Sequence, residues 1–506
     1  MVCSGACKRA RNEPITAPDM SRAKQWQIKA RYYQGDLLLG FDNIVYWMSG
    51  DYEHPNHPSI DQSDRTLPRN LRQTGDPGIQ MLVSTRVRKS PFFDKSFNEE
   101  GAWRCTVYNR IYHPRGLVEP EDGGAMAEYE ALTEKVTLWD VAVERQIRVK
   151  GPDAEELTNY LITRDATEIE PMNGKYVILC NEDGGILNDP ILLRVEEDEF
   201  WFSISDSTLM QWIQGVNVGK NFDVEVDEID VAPMQIQGPL SEDVMVEVVG
   251  EEVSEIPYYG LMEAEINGAS VLVSQTGFSG EKGFEIYVRD AMENAERVWD
   301  PVLESVKDHG GMQIAPGHHR RIAAGILSWG QDMDHETSPF QVNLGYQVPD
   351  DKEADYVGKE ELERQKELIE GGEYPFNLKL VGLKMAGEPI RDYAPDFWII
   401  SDPETDEECG YMTSPWWNPD LETNIGLGFV PADKLEDAAQ ATLDDEIYEN
   451  DLDLEFQVHL PDEYAEEDGE PVYATVAEVP FKESVNPSAR EQAKLGAKQE
   501  AEAQDN

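Results

Sequence analysis

The stretch CNEDGGILNDPILLR, Cys180 to Arg194, sets the strongest local constraint in the chain. It reads as the turn and second strand of a β-hairpin, and the strand FWFSIS follows it at once, which commits this region to antiparallel sheet. If Ile186 to Val195 is one strand, then Leu187, Asp189, Ile191, Leu193 and Val195 share a face. An aspartate on an otherwise aliphatic face needs a partner, because an unpaired buried carboxylate is costly or takes up a proton. On the residues alone two readings stand. Either Asp189 is a poised carboxylate, or Asn188-Asp189-Pro190 is simply a bulge or turn, since Asp-Pro favours turns.

The same regularity runs on from Tyr129. VERQIRVKG alternates as a strand, and PDAEELTNYLITRD opens with Pro and acids, as helix starts prefer. SDSTLMQWIQGV reads as a helix capped by Ser205 or Asp206. NFDVEVDEIDVAPMQIQGP gives two strands, ASVLVSQTGFSGEKGFEIYVRD a hairpin, and AMENAERVWDPVLESVKDHG and GHHRRIAAGILSWG two helices. The first 120 residues are irregular, consistent with long loops wrapping a core. The expected class is α+β with antiparallel sheets. The expected division is an N-terminal extension (1–85), a main region (86–350, with a second subdomain at about 231–315), a helical connector (351–376), a C-terminal β-barrel-like domain (377–482) and a disordered tail (483–506).

Charge decides which partners are plausible. The chain has 43 Lys+Arg against 100 Asp+Glu, a net charge of −57, yet 40% of it is hydrophobic, with 11 Trp and 20 Tyr. That is a folded protein with an acidic surface rather than a solvating tail. Such a charge repels itself unless salt screens it, which points to multimolar salt, as in a haloarchaeal cytoplasm. It also repels phosphate backbones, so nucleic acid is not an expected partner. No run of 18 apolar residues suggests a membrane span. The start MVCSGACKRARNEP lacks the apolar segment of a secretory signal. Residues up to about Gly35 are basic: either an unstructured extension, or translation begins at Met20. Five scattered cysteines without CxxC argue for a reducing compartment and against zinc. His54 and His57 lack a nearby third ligand and read as loop.

Two further stretches carry alternatives. In GFEIYVRD, Phe284, Ile286 and Val288 form an apolar face, while Glu285, Tyr287 and Arg289 share the other. Behind the loop Gly277, Gly280 and Gly283, that face reads most simply as a flexible hairpin with a solvated charged side. Asp332, Asp334, His335 and Glu336 read as a turn rich in capping acids, with a divalent-cation site as the alternative; an EF-hand's central Gly and terminal Glu are missing. There is no GxGxxG after a strand and no GxxxxGK[ST].

Five blocks then occur in order: GKYVILCNEDGGILND, QIQGP, VSQTGFSGEKGFEIYV, RRIAAGILSWGQDMDHETSPFQVNLG and GYMTSPWWNPDLETNIGLGFV. Together they resemble the folate-dependent family of the glycine-cleavage T-protein (aminomethyltransferase) and dimethylsulfoniopropionate demethylase, from about Arg86 to Phe481. The resemblance implies a three-domain cloverleaf around a channel that holds tetrahydrofolate. It also implies that Asp189 is the catalytic acid facing N5 of the folate. An aspartate in an apolar pocket can hold a raised pKa and exchange a proton with an amine. By the same resemblance Glu285 reads the pterin, Tyr176 contacts the folate, Phe278 lines the pterin slot and Arg321 is a retained cofactor-side arginine. PGHH around Gly317 stands where T-proteins carry a further arginine.

The donor is read from the N-terminal blocks. RVRKSPFFD, VYNRIYHP and DVAVERQ resemble the demethylase branch, whereas T-proteins carry DVSHMG. That branch moves a methyl group from a small sulfonium donor to N5, and it calls for aromatic recognition worth about 0.5–2 kcal/mol per ring. Tyr287, Tyr259 and Trp329 are the expected substrate-side residues, with Tyr258 and Trp416 as further candidates. The mechanism implied is an in-line displacement with release of a neutral thioether, rate coming from alignment and desolvation, and no metal. One alternative is a T-protein acting on an aminomethyl-lipoyl carrier protein. Another is a different methyl donor. A third is a non-catalytic folate-binding protein, although the KGCYxGQE block of such relatives is missing.

Overall fold

The alternating runs become strands of three large sheets and two small two-stranded ones, and the second large sheet takes one strand, Thr137–Asp140, from ahead of all the strands of the first. The computed structural model describes residues 86–97, 102, 104–391, 397–435, 438–443, 454–461, 464–466 and 470–482. The expectations for residues 1–85, Met20, His54, His57 and the tail lie outside them.

The first sheet has five antiparallel strands in the order Glu225–Glu228, Gln146–Lys150, Glu199–Ser203, Ile191–Glu196 and Asn173–Tyr176. The second has six, in the order Leu261–Ile266, Ala269–Ser274, Gly283–Arg289, Val231–Gln237, Thr137–Asp140 and Met312–Gln313. Only the last pairing in it is parallel. The two sheets face each other through Leu193, Val195 and Trp201 on one side and Leu261, Leu272 and Tyr287 on the other. Their outer faces carry helices. Ala154–Leu161 and Leu209–Lys220 pack Leu157, Leu161, Leu209 and Ile213 on the first. Ser241–Val249 and Ala291–Asp308 pack Val244, Met245, Val298 and Trp299 on the second. The third sheet is a closed six-stranded barrel, Leu378–Met385, Thr423–Pro431, Glu408–Asn418, Trp398–Ser401, Glu455–Val458 and Val472–Ala477. The fold is therefore α+β with antiparallel sheets and a C-terminal barrel, as expected.

Several local expectations are corrected. Ile186 to Val195 is not one strand. Ile186–Asn188 pairs with Leu179–Cys180 in a small separate sheet, the ladder breaks at Asp189-Pro190, and Ile191–Glu196 joins the five-stranded sheet. Proline cannot donate to a ladder, so the chain changes sheets there. The helix Leu209–Lys220 has Thr208 at its N-cap without a side-chain bond. Its expected caps are engaged elsewhere: Ser205 with Asp189, and Asp206 with the Asn109 amide. The helix expected in GHHRRIAAGILSWG is only His318–Ala323, because the chain turns off at Gly325, whose φ of 71° is left-handed. The region before residue 120 is not all loop, since Arg104–Tyr108 and Ile111–Gly116 form a hairpin. Within the connector, Lys359–Glu370 is helical.

Candidate active site

Two rows of side chains, one from each large sheet, meet at a cavity of about 410 Å³. In the five-stranded sheet Gln146, Ser203, Ile191 and Tyr176 are paired side by side. In the six-stranded sheet the row is Trp139, Gln235, Glu285 and Ser274. Cross-strand partners share a face, and Tyr176, Ile191, Ser203, Trp139, Gln235 and Glu285 all line the cavity. The barrel adds Leu380, Val381 and Leu427, and the first hairpin adds Tyr108, His113 and Arg115.

Asp189 sits where the chain passes between sheets, so its backbone is not tied to a ladder. Its Oδ1 accepts from Ser205 Oγ at 2.5 Å and its Oδ2 from the Tyr176 phenol at 3.1 Å. Burial raises its pKa to about 7, and these two hydrogen bonds keep it from rising further. Tyr176 is itself pushed up, by burial and then by the charge of Asp189, so it stays a phenol donor.

Glu285 is 3% exposed, with Gln235 Nε2 donating to its Oε1 at 2.7 Å and the Tyr287 phenol donating to its Oε2. Burial raises this carboxyl also, to about 7. The face expected to be solvated is thus mostly internal; only Arg289 is partly exposed, and it pairs with Glu263. The glycine loop is likewise ordered rather than flexible. The buried Gln237 amide accepts from Ser279 Oγ at 2.6 Å and donates to Thr276 O at 3.1 Å. A Cβ on Gly277 or Gly283 would lie 2.1 or 2.2 Å from that amide. Their lack of a side chain makes room for it.

The remaining expected residues divide. Phe278, Tyr258, Tyr259 and Trp329 line the cavity. The Tyr258 and Tyr259 rings lie 4.4 Å apart, and Trp329 Nε1 donates to Ile186 O at 2.9 Å. Tyr287, expected on the substrate side, is fully buried behind Glu285 and is not on the cavity wall. Arg321 is fully buried away from the wall, bonded to Asp332 at 2.6 Å and Ser414 at 2.9 Å, with Phe278 6.0 Å away. Trp416 packs in a separate cluster with Ile322, Ala323 and Ile425. In the acidic turn, Asp332 is taken by Arg321, Thr413, Ser414 and the Ser328 amide. Asp334 accepts from the Glu336 amide.

Known proteins bear on this geometry. The GCVT N-terminal domain family matches residues 95–352. Dimethylsulfoniopropionate demethylase DmdA of Ruegeria pomeroyi is 31% identical over 69% of this chain and 91% of its own length. The chain belongs to the GCVT family. An aminomethyltransferase of Clostridium botulinum is 32% identical over 61% of the chain and 81% of its own length. The crystal structure of the glycine cleavage system aminomethyltransferase T from Bartonella henselae shares the fold, with a TM-score of 0.62 at 22% identity, covering 79% of this chain and 99% of that one. Membership in the GCVT family makes the chain a one-carbon transferase and tetrahydrofolate its cofactor.

The residues present fit that cofactor. Trp139 and Phe278 supply aromatic surface at one part of the wall. Gln235 Oε1 is a buried acceptor without a donor, beside the Glu285 carboxyl, and such an atom is costly to leave unsatisfied. A flat heterocycle with neighbouring N–H donors meets both needs.

Among the wall residues whose place here escaped the sequence reading are Glu144, Gln235, Ser203, Ser205 and Arg115. Gln235 and Glu144 carried a signal, since each is a polar residue inside or leading into a strand whose other face is apolar. Ser205 carried none beyond its place two residues after Ser203. Among the described residues no helix is long and apolar enough to cross a membrane.

Proposed function

We propose that this chain is a demethylase that moves a methyl group from the cationic centre of a small donor, the sulfonium dimethylsulfoniopropionate first among candidates, to N5 of tetrahydrofolate. The observation that carries the reading is the wall around Asp189. Five acidic residues (Glu144, Asp189, Glu281, Glu285 and Glu478) and the rings of Tyr258, Tyr259 and Trp329 line one cavity, where, among the described residues, Arg115 is the only Lys or Arg; of the five, Glu281 is paired with Arg320. Acids and aromatic faces together favour a cation.

Tetrahydrofolate, when bound, supplies the nucleophilic N5. Glu285, Gln235, Phe278 and Trp139 are the residues that would hold its pterin, with Tyr176 beside them. Asp189 takes up the proton that methylation releases, at a carboxylate whose orientation Ser205 and Tyr176 fix. Apolar wall residues such as Ile191 and Leu427 exclude water, which strengthens each of these contacts.

A second reading, an aminomethyltransferase working on a lipoyl carrier protein, is supported by the Clostridium relative at nearly the same identity as the demethylase. On either reading, residues 86–350 form the folate-binding region, 351–376 the connector and 377–482 the barrel domain. The net charge of −57 suits a cytoplasm of multimolar salt, as in haloarchaea, and disfavours nucleic acid.

The test is turnover in concentrated KCl with tetrahydrofolate and dimethylsulfoniopropionate, products followed by mass. 5-Methyltetrahydrofolate with methylmercaptopropionate is the expected result. Methylenetetrahydrofolate formed only with glycine-cleavage components would establish the second reading instead. Bound folate without product from either donor would overturn both.

A further inference from the structure

Glu144 lies on the cavity wall at the approach to the strand Gln146–Lys150 and has no role in the steps above. Its Oε2 accepts from Ser203 Oγ at 3.1 Å, and Ser203 in turn accepts from Gln146 Nε2 at 2.8 Å. Ser203 also contacts the Tyr287 hydroxyl, which donates to Glu285. A continuous polar chain, Glu144–Ser203–Tyr287–Glu285, therefore joins an acid of one sheet to an acid of the other.

We propose that Glu144 and Glu285 act as one unit that carries a single shared proton in the ligand-free cavity and gives it up when a cation enters. Glu144 then sets the preference for a positively charged donor. The hydrogen-bond partners of the two carboxyls are neutral: Ser203, Tyr287 and Gln235. The charged and titratable groups nearest the pair are Asp189, Tyr108, Tyr259 and Tyr287, and the same wall also carries Arg115, His113, His318, Tyr176, Tyr346, Glu281 and Glu478. Arg145, the next residue, faces away toward Glu228 at 3.5 Å, and Arg148 pairs with Asp227 at 3.1 Å. Two carboxyls in a water-poor site without a basic partner do not both stay ionised. In line with this, Glu144 is raised well above the usual carboxylate range by burial and then by Glu285. A cation in the cavity supplies the missing partner, and the proton leaves to solvent. The cation half of the proposal rests on the donor reading above; the shared proton does not.

Infrared spectroscopy of the protonated carboxyl stretch at pH 7.5, in a D189N background, tests the proton directly. One protonated carboxyl is expected. It should vanish in D189N/E144Q, and in D189N/E285Q it should titrate away at lower pH, since Glu285 adds to what burial already does at Glu144; both changes are isosteric. A band that survives E144Q would overturn the proposal. Calorimetry on wild type and E144Q then tests the cation, using dimethylsulfoniopropionate and 4-methylpentanoate, which keeps the carboxylate but has an uncharged CH in place of the sulfonium, in buffers of different ionisation heat. Wild type should favour the sulfonium by about tenfold or more and release a proton; E144Q should lose both. If wild type shows no preference while the infrared result holds, the donor reading falls and the shared proton stands.

Discussion

The hydroxyl of Ser205 donates to Asp189 Oδ1 at 2.5 Å, on the opposite oxygen from the Tyr176 phenol. Both donors favour the ionised carboxylate against the burial that raises it to about 7. Methyl transfer that needs Asp189 as a base should therefore rise with pH through about 7 and level off above it. S205A and Y176F remove a donor each, so the midpoint should move to higher pH in both. A pH–rate profile of kcat in either variant that overlays wild type would exclude this role.

D189N should lower kcat by a factor on the order of 10²–10⁴ and leave tetrahydrofolate affinity nearly unchanged. Stopped-flow turnover alongside equilibrium folate titration separates the two. Equal losses in both would make Asp189 a binding residue instead.

The same carboxyl makes stability depend on pH. Its folded pKa of about 7 lies above the unfolded value near 4. The folded state thus binds more protons between them, and this contribution is fully present below about pH 4 and lost as pH rises through about 7. D189N cannot ionise. Thermal melts at constant KCl should show wild type losing ground to D189N from pH 5 to pH 8.

Arg321 and Asp332 are both fully buried, so truncating one strands the other. R321M should cost roughly 3–5 kcal/mol, and the double change R321M/D332N should cost less than the sum of its parts. Denaturant unfolding of the four proteins checks this. Additive losses would mean the pair is not coupled.

G277A should destabilise strongly, because its Cβ meets an amide fixed by two hydrogen bonds. G215A, on the exposed side of Leu209–Lys220 with nothing within 4 Å, should be neutral or stabilise by about 0.5–1 kcal/mol. Melting temperatures of the two variants make the comparison.

Part of this wall is legible in the chain. The aliphatic stretch singles out Asp189 while leaving a turn as the alternative, and Glu285 stands out only through the family resemblance, since the alternation of GFEIYVRD by itself reads as a solvated face. What alternation cannot reveal is which face of a strand looks into another sheet. Tyr287 shares a side with Glu285 and was expected to meet the donor, yet the five-stranded sheet packs directly over it. Arg321 was expected near the cofactor, but a buried guanidinium follows the nearest buried carboxylate, here Asp332, eleven residues on and visible only once the chain is folded. Glu144 was hidden for the same reason, as its neighbours come from two sheets.

The neighbouring arginines have one more implication. Arg320 reaches Glu281 in the loop of the second sheet, and Arg321 reaches Asp332 and Ser414 of the barrel. One short turn of helix thus rivets two lobes at adjacent residues, and neither rivet can be loosened without loading the other. Traffic through the cavity then has to use the gaps already present rather than a swing of the barrel. Substrate and product then pass by diffusion through an opening of constant width, so a bulkier donor should be excluded by size and not admitted slowly.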